Sequence, residues 1–234
     1  VEKRILRAAV IQSTILLIIC IIAGFVLHSE IPATVQANVE DILLTDGYPN
    51  YIYVIDAGHG GIDGGTMSPD GRHEEKLINL SIANMVKEML EEDRYTQVYM
   101  TRESDQFISP KERARIINKI SPDLTVSIHC NSAENQEAEG VEVLYSSGKD
   151  SSKELSKQCL NEILKLTDQV NRGLIEGDNI YIIRNSKNPI ALLEVGFLSN
   201  KRELDYLLKK KNQEKIARGI VNGIRKTERN FKGV

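Results

Sequence analysis

Hydrophobic positions along the chain form one long run near the start and, beyond it, short runs that alternate with amphipathic stretches. The long run, Ala8 to Leu27, holds 20 residues without a charge. It is about as long as the hydrocarbon core of a bilayer is thick. Lys3, Arg4 and Arg7 precede it and no Lys or Arg follows closely, which predicts an N-in orientation. The remaining chain then lies outside the cytoplasm, membrane-anchored or secreted. Residues 1–28 read as an uncleaved membrane anchor or as a signal segment, with Val35-Gln36-Ala37 offering a small-residue cleavage site. Residues 29–50 are polar, hold Pro32 and Pro49, and read as a linker.

Residues 51–230 read as one folded domain. Tyr51 to Ile55 is a short β-branched and aromatic run ended by Asp56-Ala57-Gly58-His59-Gly60-Gly61, a strand followed by a Gly-rich loop. Ile78, Ile82, Val86, Met89 and Leu90 recur at helical spacing and predict a helix over 77–93. Further strands are predicted at 97–101, at 124–128 ending at His129, at 141–145, at 180–183, and at 190–193 ending at Glu194. Helices are predicted over 110–119, with Ser109 as N-cap and Pro110 at the first position, over 151–167 and over 214–228. The alternation predicts an α/β domain whose mixed, mostly parallel sheet is covered by helices on both faces, preceded by one N-terminal hydrophobic helix. In such sheets ligands bind beyond the carboxyl ends of the strands. His59, His129 and Glu194 all fall just past predicted strand ends.

Composition narrows the chemistry. Lys and Arg number 30 against 33 Asp and Glu, a net charge of -3, so nothing in the charge favours nucleic acid. Tryptophan is absent and aromatic residues make up 5%, which leaves little for a stacking platform. Cys20, Cys130 and Cys159 lie far apart with no C-x-x-C, so neither a disulfide framework nor a cysteine-rich zinc site is expected.

A hydrolytic zinc site needs about three nitrogen or oxygen ligands and an open position for water. His59 and His129 occupy equivalent strand-end positions, although a lone histidine there is commonly structural. Glu74 and Glu75 precede an amphipathic helix, where either carboxylate could simply stabilise the helix dipole. Glu194 stands inside the apolar stretch Ile190 to Leu198, where a carboxylate is costly unless paired, metal-bound or protonated. A phosphate loop is excluded because no Lys-Ser/Thr follows the glycines, and no G-x-S-x-G frames Ser127 or Ser132 as a nucleophile. Cys130 reads as a small buried residue, and Lys209-Lys210-Lys211 as a solvated helix end.

Five ordered stretches together resemble the zinc-dependent N-acetylmuramoyl-L-alanine amidases, the amidase-3 family. They are Ile55 to Gly61, Glu75-Lys76-Leu77-Ile78-Asn79-Leu80, Thr101-Arg102-Glu103-Ser104-Asp105, Ser127 to Asn131, and Glu194 to Asn200. The likeness spans Tyr51 to Arg229. It implies that His59, Glu75 and His129 hold Zn2+ and that Glu194 is the catalytic glutamate. Glu75 matches rather than Glu74, because Lys76 and then Asn79-Leu80 follow it as in the family. Cys130 stands where the family commonly has alanine. The implied reaction is hydrolysis of the amide joining N-acetylmuramic acid to L-alanine in peptidoglycan. The resemblance is greatest to the spore-cortex, germination-specific amidases, which act on the route to muramic-δ-lactam. The segment between Tyr145 and Tyr181 is too short for the helical plug that covers the zinc in some Gram-negative relatives. No wall-binding repeats follow the last helix, so targeting is expected from the membrane segment or from an activating helper protein. The rival expectations are a zinc peptidase acting on stem-peptide bonds and a non-catalytic peptidoglycan-binding module.

Overall fold

The structure is a computed structural model and describes residues 51–232. The hydrophobic segment and linker read at residues 1–50 lie outside the described residues. Among the described residues no helix is long and apolar enough to cross a membrane.

Six strands form one sheet: β1 (Tyr51–Ala57), β2 (Thr96–Met100), β3 (Leu124–Asn131), β4 (Val141–Tyr145), β5 (Asn171–Glu176) and β6 (Ile190–Phe197). Their order is β2-β1-β3-β6-β4-β5. The first four in that order are mutually parallel. β4 runs antiparallel to β6, and β5 is parallel to β4, so the sheet is mixed. The helices are α1 (Glu75–Glu91), α2 (Pro110–Ile120), α3 (Asp150–Leu166), α4 (Tyr181–Asn185), α5 (Lys201–Leu207) and α6 (Lys210–Lys232).

The period-2 alternation of the strands sends two sets of side chains to two unlike layers. Val126, Ile128 and Cys130 of β3 and Ala191, Leu193 and Val195 of β6 enter the larger core, beneath α1, α3 and α6. Val54, Ile190 and Leu192 face the other way and meet Ile117 of α2 and Ile182 and Ile183 of α4 in a smaller core. Asp56, Ser127, His129 and Glu194 share the alternation of that smaller layer. This is the side of the sheet on which polar chemistry collects.

α6 lies against α3 at close range because of two glycines one turn apart. A Cβ on Gly219 would stand 2.6 Å from Ile163 Cα, and one on Gly223 would stand 2.5 Å from Cys159 Cα. Both near neighbours are backbone atoms that cannot yield without separating the helices. In an open helix Gly→Ala stabilises by up to about 1 kcal/mol. Here Gly223→Ala is expected to destabilise instead, by about 1–3 kcal/mol, as overpacking does. A raised thermal midpoint for this variant would contradict the close packing.

Several sequence expectations are corrected. Residues 180–183 are not a strand. Tyr181–Asn185 is a short helix that turns Ile182 and Ile183 into the smaller core, and a four-residue apolar run carries too little pattern to separate the two. β5 escaped the pattern because it is an edge strand of mostly exposed residues. α5 was also missed, although Asn200 caps it by accepting from Arg202 and Glu203 N–H and Glu203 stands at the third position. α6 starts at Lys210, so the lysine run lies exposed at a helix start. β3 and β6 run on through His129 and Glu194, which therefore lie within strands rather than past them. The ladder persists there because His129 and Glu194 are themselves register partners, and it shifts only between His129 and Asn131.

Candidate active site

The first site element is the loop after β1. His59 sits in the left-handed region at φ 58°, which few residues other than glycine adopt. Two buried arginines hold it there. Arg113 donates to the carbonyls of Ala57 (2.7 Å) and His59 (2.6 Å). Arg102, 1% exposed, donates to the carbonyls of Ala57, Gly58, Lys76 and Ser104. Gly58 is needed for proximity: a Cβ there would fall 2.2 Å from His129 Cε1. Asp63 closes the loop, its Oδ2 2.9 Å from His59 Nδ1.

Glu75 opens α1 and is 2% exposed. Its Oε1 lies 3.3 Å from His59 Nε2 and 3.1 Å from His129 Nδ1. The same oxygen accepts from Cys130 N–H and Asn79 Nδ2, each at 3.0 Å, while Oε2 accepts from Thr66 N–H at 2.9 Å. Glu74 points elsewhere, 3.2 Å from Lys76 Nζ. The structure thus brings His59, Glu75 and His129 together and leaves Glu74 out.

The donor set fits a divalent metal. One ligand atom from each of His59, Glu75 and His129 lies within 4.8 Å of the others. Two imidazoles and a carboxylate are a donor set suited to zinc, with room for a further ligand. The rings of His59 and His129 meet edge to face, their centroids 4.9 Å apart. Burial alone would lower the proton affinity of His59, but Glu75 and Asp63 outweigh it and push its pKa up to about 9. Burial would raise Glu75, yet His129 and His59 hold it well below the usual carboxylate range. A cation at this position would balance the charge of the Glu75 carboxylate.

Glu194 borders the same space. Burial raises its pKa to about 7, with Glu75 and Glu142 adding to the rise and His129 and His59 opposing it. Its Oε2 is buried and has no hydrogen-bond partner among the described residues. Glu142 stands opposite it on β4. That carboxylate accepts from Asn131 Nδ2 and from Arg172 Nε, each at 2.7 Å, and the Arg172 guanidinium lies over the Phe197 ring. Sequence reasoning missed Asp63, Asn131, Glu142 and Arg172. A half-buried glutamate in Val-Glu-Val-Leu-Tyr was the available signal, but its partners come together only through strand pairing.

Two cavities meet at these residues. One, of about 490 Å³, is lined with polar groups that include Thr66, Asn131 and Ser132. The other, of about 310 Å³, is mostly apolar. His59, Asp63, His129 and Glu194 border both.

Residues 53–226 match the amidase-3 family, described as N-acetylmuramoyl-L-alanine amidase. The chain belongs to this family. The amidase reaction is hydrolysis of the bond between N-acetylmuramic acid and L-alanine in peptidoglycan, and it is the activity of this chain. Over 187 residues the amidase is 33% identical to the germination-specific N-acetylmuramoyl-L-alanine amidase of Bacillus subtilis, covering 74% of this chain and 78% of that one. An N-acetylmuramoyl-L-alanine amidase from Clostridium difficile 630 matches its fold with a TM-score of 0.74 at 37% identity, over 76% of this chain and 96% of that one. The CwlD amidase of Clostridioides difficile, solved in complex with the GerS lipoprotein, matches with a TM-score of 0.72 at 36% identity, over 76% and 98%.

Proposed function

We propose that this amidase works with zinc held by His59, Glu75 and His129, and that Glu194 carries the proton of the reaction. The observation behind this reading is the convergence of three ligand atoms within 4.8 Å beside a buried carboxylate oxygen that has no hydrogen-bond partner among the described residues. When bound, zinc makes water more acidic and polarises the scissile carbonyl. Asp63, facing His59 Nδ1, fixes the ring so that Nε2 points at Glu75. Thr66 and Cys130 N–H hold the Glu75 carboxylate in place from two sides. Glu194 takes a proton from the attacking water at Oε2 and gives it to the nitrogen of L-alanine as the C–N bond breaks. The products are a lactyl carboxylate and a stem peptide with a free amino terminus. In the metal-free site burial holds the Glu194 carboxyl up to about 7, and a bound cation would lower it, so the group is able to accept a proton at neutral pH.

The substrate is assigned as spore-cortex peptidoglycan, on the route to muramic-δ-lactam, following the germination-specific relative. The site of action is outside the cytoplasm, reached through the hydrophobic segment 8–27, which serves as membrane anchor or signal. A lipoprotein helper is supported by the complex of CwlD with GerS. The test is digestion of purified cortex and vegetative peptidoglycan by the 234-residue chain, with zinc and with chelator. New L-alanine amino termini are expected with metal only, and faster from cortex. Shortened stem peptides would identify a peptidase instead, and equal rates on both walls would remove the cortex assignment.

A further inference from the structure

β4 and β5 run against β1, β3 and β6, so their first residues lie at the same end of the sheet as the metal ligands. One row of residues crosses that end. His129 of β3 is the register partner of Glu194 on β6, Glu194 that of Glu142 on β4, and Glu142 that of Gly173 on β5. Arg172 precedes Gly173 and reaches back along the row. Its Nε donates to Glu142 Oε2 at 2.7 Å, and its guanidinium carbon lies 4.8 Å from the centre of the Phe197 ring. An ion pair and a ring contact together fix the plane of the group. Glu142 takes the Nε donor alone. Nη1 and Nη2 have no hydrogen-bond partner among the described residues, and the side chain is 38% exposed. The other oxygen of Glu142 accepts from Asn131 Nδ2, and Asn131 lines the polar cavity with Ser132 and Glu194. The arginine therefore borders that cavity on its β5 side, with the two outer nitrogens of a planar fork still unused.

The charge of the fork identifies its ligand, because a guanidinium matches a carboxylate in shape as well as in sign. On the glycan side of the scissile bond the substrate has hydroxyl and acetamido groups and no ionised one. On the peptide side, the residue after L-alanine is joined onward through its side-chain carboxyl and keeps an ionised α-carboxylate. Neighbouring strands stand about 4.8 Å apart, so β5 lies about 10 Å across the sheet from β6. The second residue lies about 3.8 Å beyond L-alanine between α-carbons, and the arginine side chain spans the rest from β5. We infer that Arg172 binds the free α-carboxylate of the second stem-peptide residue, so that the amidase favours stem peptides that carry this group as an acid over those that carry it as an amide. Glu142 and Phe197 are positioning residues for the guanidinium. The inference rests on the amidase reading with Glu194 as proton carrier.

The test uses the zinc-loaded 234-residue chain carrying Glu194→Gln, in which ligands bind without turnover. Calorimetry compares N-acetylmuramoyl-L-alanyl-D-glutamine, whose α-carboxylate is free, with its α-amide. The acid is expected to bind roughly tenfold tighter, the scale of a hydrogen bond to a charged group. Added salt should narrow the difference, because the guanidinium is partly exposed. Arg172→Gln should bring acid and amide to within about twofold, and Arg172→Lys, which keeps the charge without the fork, should retain part of the preference. Circular dichroism and zinc content establish that both variants fold. Equal binding of acid and amide by the chain with Arg172 intact would overturn the assignment, whether or not the variants fold. So would an undiminished preference in folded Arg172→Gln. The assignment also fails if Arg172→Gln weakens N-acetylmuramic acid as strongly as the acid dipeptide ligand, since the arginine would then hold the lactyl carboxylate of the product. The amidase mechanism is judged separately, by release of L-alanine amino termini by the chain with Glu194 intact. Absence of release alongside an acid preference that depends on Arg172 would remove the mechanism and support the assignment.

Discussion

Glu194→Gln is expected to lower kcat by about 10²- to 10⁴-fold, the scale of general acid–base catalysis, while one zinc per chain is retained. The amide keeps the size of the carboxyl group and loses only its ability to accept and return a proton. Oε2 has no hydrogen-bond partner among the described residues, so the exchange breaks none of their hydrogen bonds to that oxygen. A companion effect has a definite sign. The folded pKa of Glu194 is raised, so its contribution to stability is fully present below the ordinary glutamate value and is lost as pH rises through about 7. In the metal-free chain the Gln variant should therefore gain stability relative to the parent between pH 5 and pH 8, measurable by urea unfolding. Wild-type turnover in the variant would eliminate Glu194 as the proton carrier. Lost turnover together with lost zinc would show that the residue supports the metal instead.

Arg113→Met is expected to cost about 3–5 kcal/mol, the range for removing one partner of a buried ion pair. Arg113 Nη1 lies 2.6 Å from Asp56 Oδ1, and both side chains are buried. Ser127 and Thr101 hydroxyls donate to the same carboxylate at 2.6 Å each. Burial alone would raise the pKa of Asp56, but Arg113 and the two hydroxyls outweigh it and hold it below the usual value. The pair's contribution is therefore present at neutral pH and is lost as pH falls below about 4 through that lowered value. Removing both charges together, Asp56→Asn with Arg113→Met, should cost less than Arg113→Met alone. Activity should fall as well, because Arg113 also anchors the carbonyl of His59 in its left-handed conformation. A loss under about 1 kcal/mol in urea unfolding would mean that the pair is not a stabilising element.

Elements with a strong period and clear ends could be read from the sequence. β1, β4 and the helix capped by Ser109 fall close to where the pattern places them, and Ser109 does accept from Glu112 N–H. β5 could not be read, because an edge strand with exposed faces has no alternation to reveal it. His59 and His129 were visible as histidines just past predicted strand ends, and Glu194 as a carboxylate inside an apolar run. Glu74 and Glu75 could not be separated by residue type or helix position. The order of the family's motif points to Glu75, and the fold turns that side chain inward while Glu74 meets Lys76. The Asn131–Glu142–Arg172 contacts depend on β4 lying antiparallel beside β6, and nothing local in those residues encodes that reversal.

The position of α6 bears on when this protein can become folded. The helix packs on both α1 and α3, with Ser81 donating to Gln213 and Arg225 donating to the Met89 carbonyl. It comes last among the described elements, yet it covers Ile78, Ile82 and Val86, which belong to the same helix that presents Glu75. A chain synthesised from its N-terminal end contains His59, Glu75 and His129 more than 80 residues before Ile216, Ile220 and Ile224, which close the layer behind them. The layer behind Glu75 is therefore complete only when the last helix of the described residues is in place.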